Sequence, residues 1–379
     1  MTTPAHPLPY GRQLVEDDDI AEVVRVLRSD YLTTGPEVDA FEAELAAACG
    51  ARHAVVVANG TAALHCAYAA AGVGAGDEVV TSPLTFSATA NMVLALGAKP
   101  VFADVDEGTL CLDPTEAAKA ITPRTKALAP VDFAGHPAAH DELMALARAK
   151  GLTVIADASH SIGGKLYGRP VGSLAHLTTF SFHPVKTITT GEGGAVLTDD
   201  PTLAERARDF RNHGMVRDAA RLVRNDGPWY YEVQSLGFNY RLTALSCALG
   251  RSQLRKLDRF SARRRAIVER YRAAFAQEPR LRLQSQQPGA EPTWHLFAVR
   301  VNERARFFAA LQEHGILPQV HYVAVNDMPL YRALGHKPVQ TPVAARAADE
   351  LVSLPLYPAM SDADVERVIG AVYAALGRS

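Results

Sequence analysis

Apolar residues at Ile20, Val23, Val24 and Leu27 form a stripe at helical spacing, and Asp17, Asp18 and Asp19 bias its start, predicting a helix over 14–30. An irregular segment, Leu32-Thr33-Thr34-Gly35-Pro36, separates it from a second helix running through Phe41 and Leu45. The pattern then alternates. Short apolar runs at 54–58, 78–81, 100–105, 127–131 and 153–157 read as strands, and 62–71, 88–96, 114–121 and 141–150 read as helices. Strands of unbroken Val, Ile, Ala and Leu interleaved with helices predict a mainly parallel sheet covered on both faces. Two further strands, 178–182 and 194–198, have no helix between them, which predicts an antiparallel neighbour in that sheet.

Around residue 250 the character changes. A basic amphipathic stretch over 251–275, with Arg263-Arg264-Arg265 at its centre, reads as a solvated helix linking two domains. Beyond it a smaller α+β region is expected, with strands near 294–301 and 319–322 and helices at 304–314 and 362–376. The expected architecture is α/β: a large, mixed, mostly parallel sheet domain over 1–248, including the N-terminal helix, and a smaller C-terminal α+β domain over 249–379.

Composition narrows the class. The 379 residues are 48% hydrophobic and 21% charged, the mix of a soluble globular protein large enough to need no disulfide or metal to hold it together. The formal charge of −2 and the absence of a long basic run give no support to nucleic-acid binding. Cys49, Cys66, Cys111 and Cys247 lack CxxC spacing and fit reduced thiols in a cytoplasmic protein. The first ten residues are polar and proline-rich, unlike a signal peptide, and no apolar run is long enough to span a bilayer.

Four clusters carry candidate chemistry, all near the carboxyl ends of predicted strands, where such sheets place their sites. In Thr179-Phe-Ser-Phe-His-Pro-Val-Lys-Thr-Ile-Thr-Thr-Gly-Glu-Gly-Gly-Ala195, Lys186 follows a buried strand among small hydroxyl residues and glycines. That setting suits an amine that must lose its proton to attack a carbonyl and then swing beside a planar ring; an ordinary strand and loop is the alternative. Ser181, five residues earlier, is placed to meet a phosphate. In Val154-Ile-Ala-Asp-Ala-Ser-His-Ser-Ile-Gly163, Asp157 ends an apolar strand, and a buried carboxylate there needs a cationic partner such as a protonated pyridine nitrogen, unless it only caps a helix. His160 either contacts a ring hydroxyl or is a loop histidine. Ala58-Asn-Gly-Thr-Ala-Ala-Leu-His65 turns from strand straight into helix, so Gly60 and Thr61 offer free amides and a helix dipole to an anion. Phe86, in Pro83-Leu-Thr-Phe-Ser-Ala-Thr-Ala-Asn91, is available to stack on a ring, or belongs to the core.

In this order and spacing the four clusters resemble the sugar aminotransferases of the DegT/DnrJ/EryC1/StrS family, which have the type I aspartate-aminotransferase fold. The resemblance covers nearly the whole chain. Thr33-Thr34-Gly35-Pro36, Pro83-Leu84-Thr85-Phe86, Ala88-Thr89-Ala90-Asn91, Val131-Asp132-Phe133-Ala134-Gly135, His183-Pro184-Val185-Lys186 and Asp226-Gly227-Pro228-Trp229-Tyr230-Tyr231 are most similar to members that aminate C4 of a UDP-linked 4-keto-6-deoxy-N-acetylhexosamine. The resemblance implies pyridoxal 5′-phosphate as cofactor, with Lys186 as the catalytic lysine that carries it and Asp157 as partner of its pyridine nitrogen. It further implies Phe86 stacked on the ring, His160 near its hydroxyl where many members have glutamine, and Gly60, Thr61 and Ser181 around its phosphate. Asn239, in Gly237-Phe-Asn-Tyr-Arg-Leu242, matches a residue that reaches the phosphate of a neighbouring subunit, which implies a homodimer with shared sites. His321 and Tyr322 match the lining of a sugar-nucleotide pocket. L-glutamate is the implied amino donor. Relatives that dehydrate sugars carry histidine where this chain has Lys186.

Overall fold

The computed structural model describes residues 6–377. Part of the polar N-terminal segment, residues 1–5, therefore lies outside the described residues.

Seven strands build the central sheet: β1 (His53–Val57), β2 (Glu78–Thr81), β3 (Lys99–Phe102), β4 (Thr125–Ala129), β5 (Thr153–Asp157), β6 (Leu177–Ser181) and β7 (Gly194–Thr198). Their spatial order is β1-β7-β6-β5-β4-β2-β3. β2 pairs in parallel with β3 and β4, as do β4 with β5 and β5 with β6, whereas β7 runs antiparallel to both β1 and β6. The expected antiparallel neighbour is thus present, formed because the β6–β7 connection carries no crossover helix.

Alternation along each strand explains why these runs are apolar throughout. Val55, Val57, Ile155 and Val196 point to one face and meet Ala63, Ala67 and Tyr68 of α3 (Gly60–Ala70) and Ala204 and Ala207 of α7 (Pro201–Arg211). Val56, Phe180 and Leu197 point to the other face, against Phe41 and Leu45 of α2 (Pro36–Cys49), while Leu128 and Val154 meet Leu143 of α6 (His140–Lys150). With both faces covered, only Lys99 and Lys126 among the seven strands are exposed, and each fully buried Val or Leu contributes about 1.5–3 kcal/mol. α4 (Ala88–Ala95) and α5 (Pro114–Ala120) complete the crossovers.

The first helix is shorter than its stripe suggests: α1 spans Asp17–Leu27 and packs on α8 (Ala244–Leu254). The basic stretch at 251–275 corrects the sequence reading in two ways. It is not one helix, because α8 ends at Leu254 and α9 begins at Leu257. Nor is α9 (Leu257–Phe275) merely solvated, since Phe260, Ile267, Val268, Tyr271 and Phe275 are buried along one face. Arg264, the middle of the three arginines, is buried on that face too, with Nη1 donating to the carbonyls of His295 and Leu356 at 3.2 and 2.8 Å. Among the described residues no carboxylate pairs with it, and burial lowers its pKa to about 10.

A second, three-stranded antiparallel sheet lies beyond: β8 (Arg282–Leu283), β9 (Phe297–Arg300) and β10 (Leu351–Leu354). It packs with α9, α10 (Arg304–Glu313) and α13 (Asp362–Ala375) in a core that also takes in Leu8. The strand expected at 319–322 is absent. Ile316–Leu317 pairs in parallel with Leu8–Pro9 instead, Gln319 makes only a single bridge to Ser353, and His321 and Tyr322 leave the sheet. The partner of β9 is β10, a four-residue run between Glu350 and Pro355 too short to show a period. Helices α11 (Pro329–Ala333) and α12 (Pro342–Glu350) fill the interval. All four cysteines are free and buried, and no described helix is long and apolar enough to cross a membrane.

Candidate active site

A cavity of about 440 Å³ opens where the carboxyl ends of β1, β2, β4, β5 and β6 converge. Nine of the ten residues singled out from the sequence line it: Gly60, Thr61, Phe86, Asp157, His160, Ser181, Lys186, His321 and Tyr322. Asn239 does not. It is exposed and its backbone bridges Asn212, outside this cavity.

Gly60 opens α3 directly after β1. Asn59 caps the helix by accepting the Ala62 N–H on its side chain at 2.8 Å, while the amides of the first turn have no partner within the helix. Across this turn lies the end of β6, one strand beyond β7 in the sheet. A side chain on Gly60 would place its Cβ 2.8 Å from Ser181 Cβ and 3.0 Å from Ser181 Oγ. The space between helix start and hydroxyl is therefore an anion cradle that only glycine keeps open. Gly60→Ala is expected to weaken the Kd for pyridoxal 5′-phosphate by about tenfold, roughly 1.4 kcal/mol, as measured by titrating the apoenzyme. An unchanged Kd would remove Gly60 from the phosphate site.

Asp157 ends β5 and is 5% exposed. Both carboxylate oxygens are taken by hydroxyls: Thr89 Oγ1 donates to Oδ2 at 2.6 Å, and Ser159 Oγ donates to Oδ1 at 2.6 Å. A buried carboxylate held this way has no cation in contact, so it offers a fixed negative end to a protonated ring nitrogen.

Lys186 lies in the loop after β6 and is part-exposed to the cavity, which protein walls enclose. Burial lowers its amine to a pKa of about 8; the Asp157 charge works the other way, and Arg264 reinforces the fall. The amine thus has an unprotonated fraction near neutrality far above that of an ordinary lysine, as nucleophilic attack on a carbonyl requires.

His160, His295 and His321 surround this centre, each less than 10% exposed. Burial holds His160 and His295 well below the usual histidine range and brings His321 down to about 3, with the Lys186 charge adding to all three. These imidazoles are neutral. His160 Nε2 lies 3.0 Å from Tyr322 Oη, with the rings near parallel at 18°. Burial raises the Tyr322 phenol above its ordinary pKa, so it keeps its proton at this contact. His321 Nδ1 meets Ser353 Oγ at 2.9 Å. Phe86 stands at the mouth, 59% exposed, its ring centroid 6.3 Å from that of Tyr322.

Tyr10, Thr85, Ser159, His183, Glu192 and His295 also line the cavity and were not assigned from the sequence. Thr85, Ser159, His183 and Glu192 lie inside the quoted clusters, where their polarity at strand ends was a usable signal. Tyr10 and His295 carry none, because they reach the site from distant parts of the chain.

The residues fit pyridoxal phosphate: a glycine-opened anion cradle, a buried carboxylate without a cation, and an amine with a lowered pKa share one cavity. Comparison with known proteins agrees. The model of the DegT/DnrJ/EryC1/StrS aminotransferase family matches residues 13–373. The chain is 44% identical over 375 residues to the spore coat polysaccharide biosynthesis protein SpsC of Bacillus subtilis (strain 168), covering 97% of this chain and 96% of that protein. Its structure is similar to that of Spr1654 from Streptococcus pneumoniae, described as a sugar aminotransferase and solved in a PMP form, with a TM-score of 0.92, 28% identity and coverage of 97% and 98% of the two chains. It is also similar to Helicobacter pylori PseC, an aminotransferase involved in pseudoaminic acid biosynthesis, with a TM-score of 0.91, 30% identity and coverage of 98% and 99%. The chain belongs to the DegT/DnrJ/EryC1/StrS aminotransferase family and is a pyridoxal-phosphate-dependent sugar aminotransferase.

Proposed function

We propose that this enzyme moves an amino group from L-glutamate to C4 of a UDP-linked 4-keto-6-deoxy-N-acetylhexosamine, forming UDP-4-amino-4,6-dideoxy-N-acetyl-β-L-altrosamine in the manner of pseudaminic acid biosynthesis. The observation that carries this reading is the likeness to H. pylori PseC over 98% of the chain. A second reading is amination of a different nucleotide-linked keto sugar, of the perosamine or 4-amino-arabinose type; the 44% identity to SpsC, a spore coat polysaccharide biosynthesis protein, keeps a polysaccharide sugar other than the first in play. Assaying the purified protein with glutamate and several 4-keto sugar nucleotides side by side separates the two. The first reading expects the UDP-N-acetylhexosamine derivative to have the highest kcat/KM, and preference for a GDP-linked hexose would sink it.

In this reading, bound pyridoxal phosphate supplies the electron sink that makes the carbon bearing nitrogen acidic and holds the amino group between the two half-reactions. Lys186 Nζ carries the proton to and from that carbon, its lowered pKa suiting both directions. Asp157, clamped by Thr89 and Ser159, holds the ring nitrogen protonated. Gly60, Thr61 and Ser181 bind the phosphate, Phe86 stacks at the mouth, and His160 approaches the ring hydroxyl. His321 and Tyr322 line the sugar-nucleotide side. Walls formed by buried imidazoles exclude water from the reacting carbon.

The same reading takes the functional unit as a homodimer in which Asn239 serves the partner's phosphate. Its exposure outside this chain's own cavity supports that, as do the exposed apolar side chains of Trp229, Val233 and Leu236 nearby in sequence. A division into a cofactor-binding domain, 1–248, and a smaller domain, 249–379, is supported by the apolar core of α9, β9, β10 and α13, which Leu8 joins from the N-terminal side.

A further inference from the structure

The start of α4 brings two threonines to the back of Asp157. Thr85 precedes the helix and Thr89 lies one turn later; they are 1% and 0% exposed. Their hydroxyl oxygens are 2.6 Å apart, and Thr89 Oγ1 is 2.6 Å from Asp157 Oδ2. The Phe86 carbonyl, at 3.2 Å from Thr89 Oγ1, competes for the same proton at a longer distance. Tyr68 Oη donates to the Thr89 carbonyl at 3.0 Å and pins this turn against α3.

Counting protons assigns the direction of the chain. Each hydroxyl has one proton, and a carboxylate only accepts. Thr89 must spend its proton on Asp157, so the contact between the threonines is made by the Thr85 proton donated to the Thr89 oxygen. We infer that Thr85 and Thr89 form a one-way hydroxyl relay, Thr85 to Thr89 to Asp157 Oδ2, that positions the carboxylate facing the cofactor ring. Thr89 is a positioning residue acting on Asp157, and Thr85 acts on Thr89. Polarisation along the chain strengthens the final bond, so the two contributions are coupled. Ser159 holds the other oxygen at 2.6 Å, and the two clamps together fix the rotation of the carboxyl plane. The relay also links Asp157 to the turn that carries Phe86, whose carbonyl accepts the Thr89 N–H at 3.2 Å.

This inference rests on the reading that Asp157 meets the cofactor's ring nitrogen. Its test uses holoenzyme and three readouts: the Kd for pyridoxal 5′-phosphate, the absorbance maximum of the bound cofactor, and kcat against KM for glutamate. Thr89→Val keeps the shape and removes the hydroxyl. It is expected to raise the Kd and lower kcat, each by about tenfold, to shift the absorbance band, and to leave KM for glutamate within about threefold. Thr89→Ser keeps the hydroxyl and should restore both the band and the Kd. Thr85→Val should act in the same direction by about threefold, and should add nothing in the Thr89→Val background. An unchanged band and Kd in Thr89→Val overturns the relay, and so does a Thr85→Val effect that persists in full when Thr89 is already valine. Should Thr89→Val fail to fold, Thr85→Val decides alone: wild-type Kd and absorbance in that variant overturn the proposal. Asp157→Asn separates the two levels. If it shifts the band and the threonine variants do not, the relay fails while the role of Asp157 stands; if it shifts nothing, the reading of Asp157 fails as well.

Discussion

Lys186→Ala is expected to lower transamination by at least about a thousandfold, a loss of roughly 4 kcal/mol of transition-state stabilisation, while the variant still binds cofactor. Among the described residues no other lysine lines the cavity. His160, His295 and His321 are held neutral by burial, and an imidazole cannot replace a primary amine in bonding to the carbonyl carbon of the cofactor. The other proposed anchors of the cofactor, the Gly60–Ser181 cradle and Asp157, are untouched by the change. Borohydride treatment followed by mass spectrometry should fix cofactor covalently to the wild-type chain and leave the variant unmodified. Covalent capture by the alanine variant, or turnover near the wild-type rate, would place the reactive amine elsewhere. Removing the amine also removes a charge that lowers all three imidazole pKa values, so those groups should each titrate higher in the variant.

Asp157→Asn should cut kcat on the order of a hundredfold or more, with the fold intact. Asparagine is close to isosteric, and its amide can still accept from one of Thr89 and Ser159 while the other hydroxyl turns to accept. What is lost is the negative charge opposite the ring nitrogen. The same substitution makes a second prediction of opposite appearance. The Asp157 charge raises the pKa of Lys186, against the burial that lowers it to about 8. Without that charge the amine should titrate below 8, so its unprotonated fraction at a given pH rises. The pH profile for cofactor capture by the apoenzyme should therefore move to lower pH while transamination falls. A midpoint that stays put or moves upward would mean that the two groups do not communicate electrostatically.

Much of this site was legible in the residues because it is built at strand ends. An apolar strand that stops at Asp157, a lysine set among threonines and glycines just past Ser181, and a strand turning through Asn59-Gly60 into a helix are each local patterns with a local physical cause. They also fixed the order of strands and helices through the large sheet, since runs buried on both faces must be apolar throughout. The family resemblance supplied what local pattern does not: an expectation of which polar residue in each cluster faces the cofactor.

The failures share one cause. Gln319–Tyr322 has the composition of a strand, yet its neighbour in space is occupied by the pairing of Leu8–Pro9 with Ile316–Leu317, and β10 takes the edge of β9. The period of a strand reports that it pairs and not with what. Arg264 reads as one of three solvent-facing arginines, but the helical phase set by Phe260, Ile267 and Tyr271 turns it inward, where carbonyls of His295 and Leu356 receive it. The bond from Thr89 to Asp157 spans 68 residues, and that between Tyr322 and His160 spans 162. By itself the sequence determined the α/β layering and put candidate chemistry at strand ends, with Lys186 and Asp157 among the candidates, because hydrophobic period and turn residues act over a few positions. Only the tertiary structure decided which side chains meet there, which imidazoles are stripped of water, and which hydroxyls hold Asp157. Those depend on how strands far apart in the chain are ordered across the sheet.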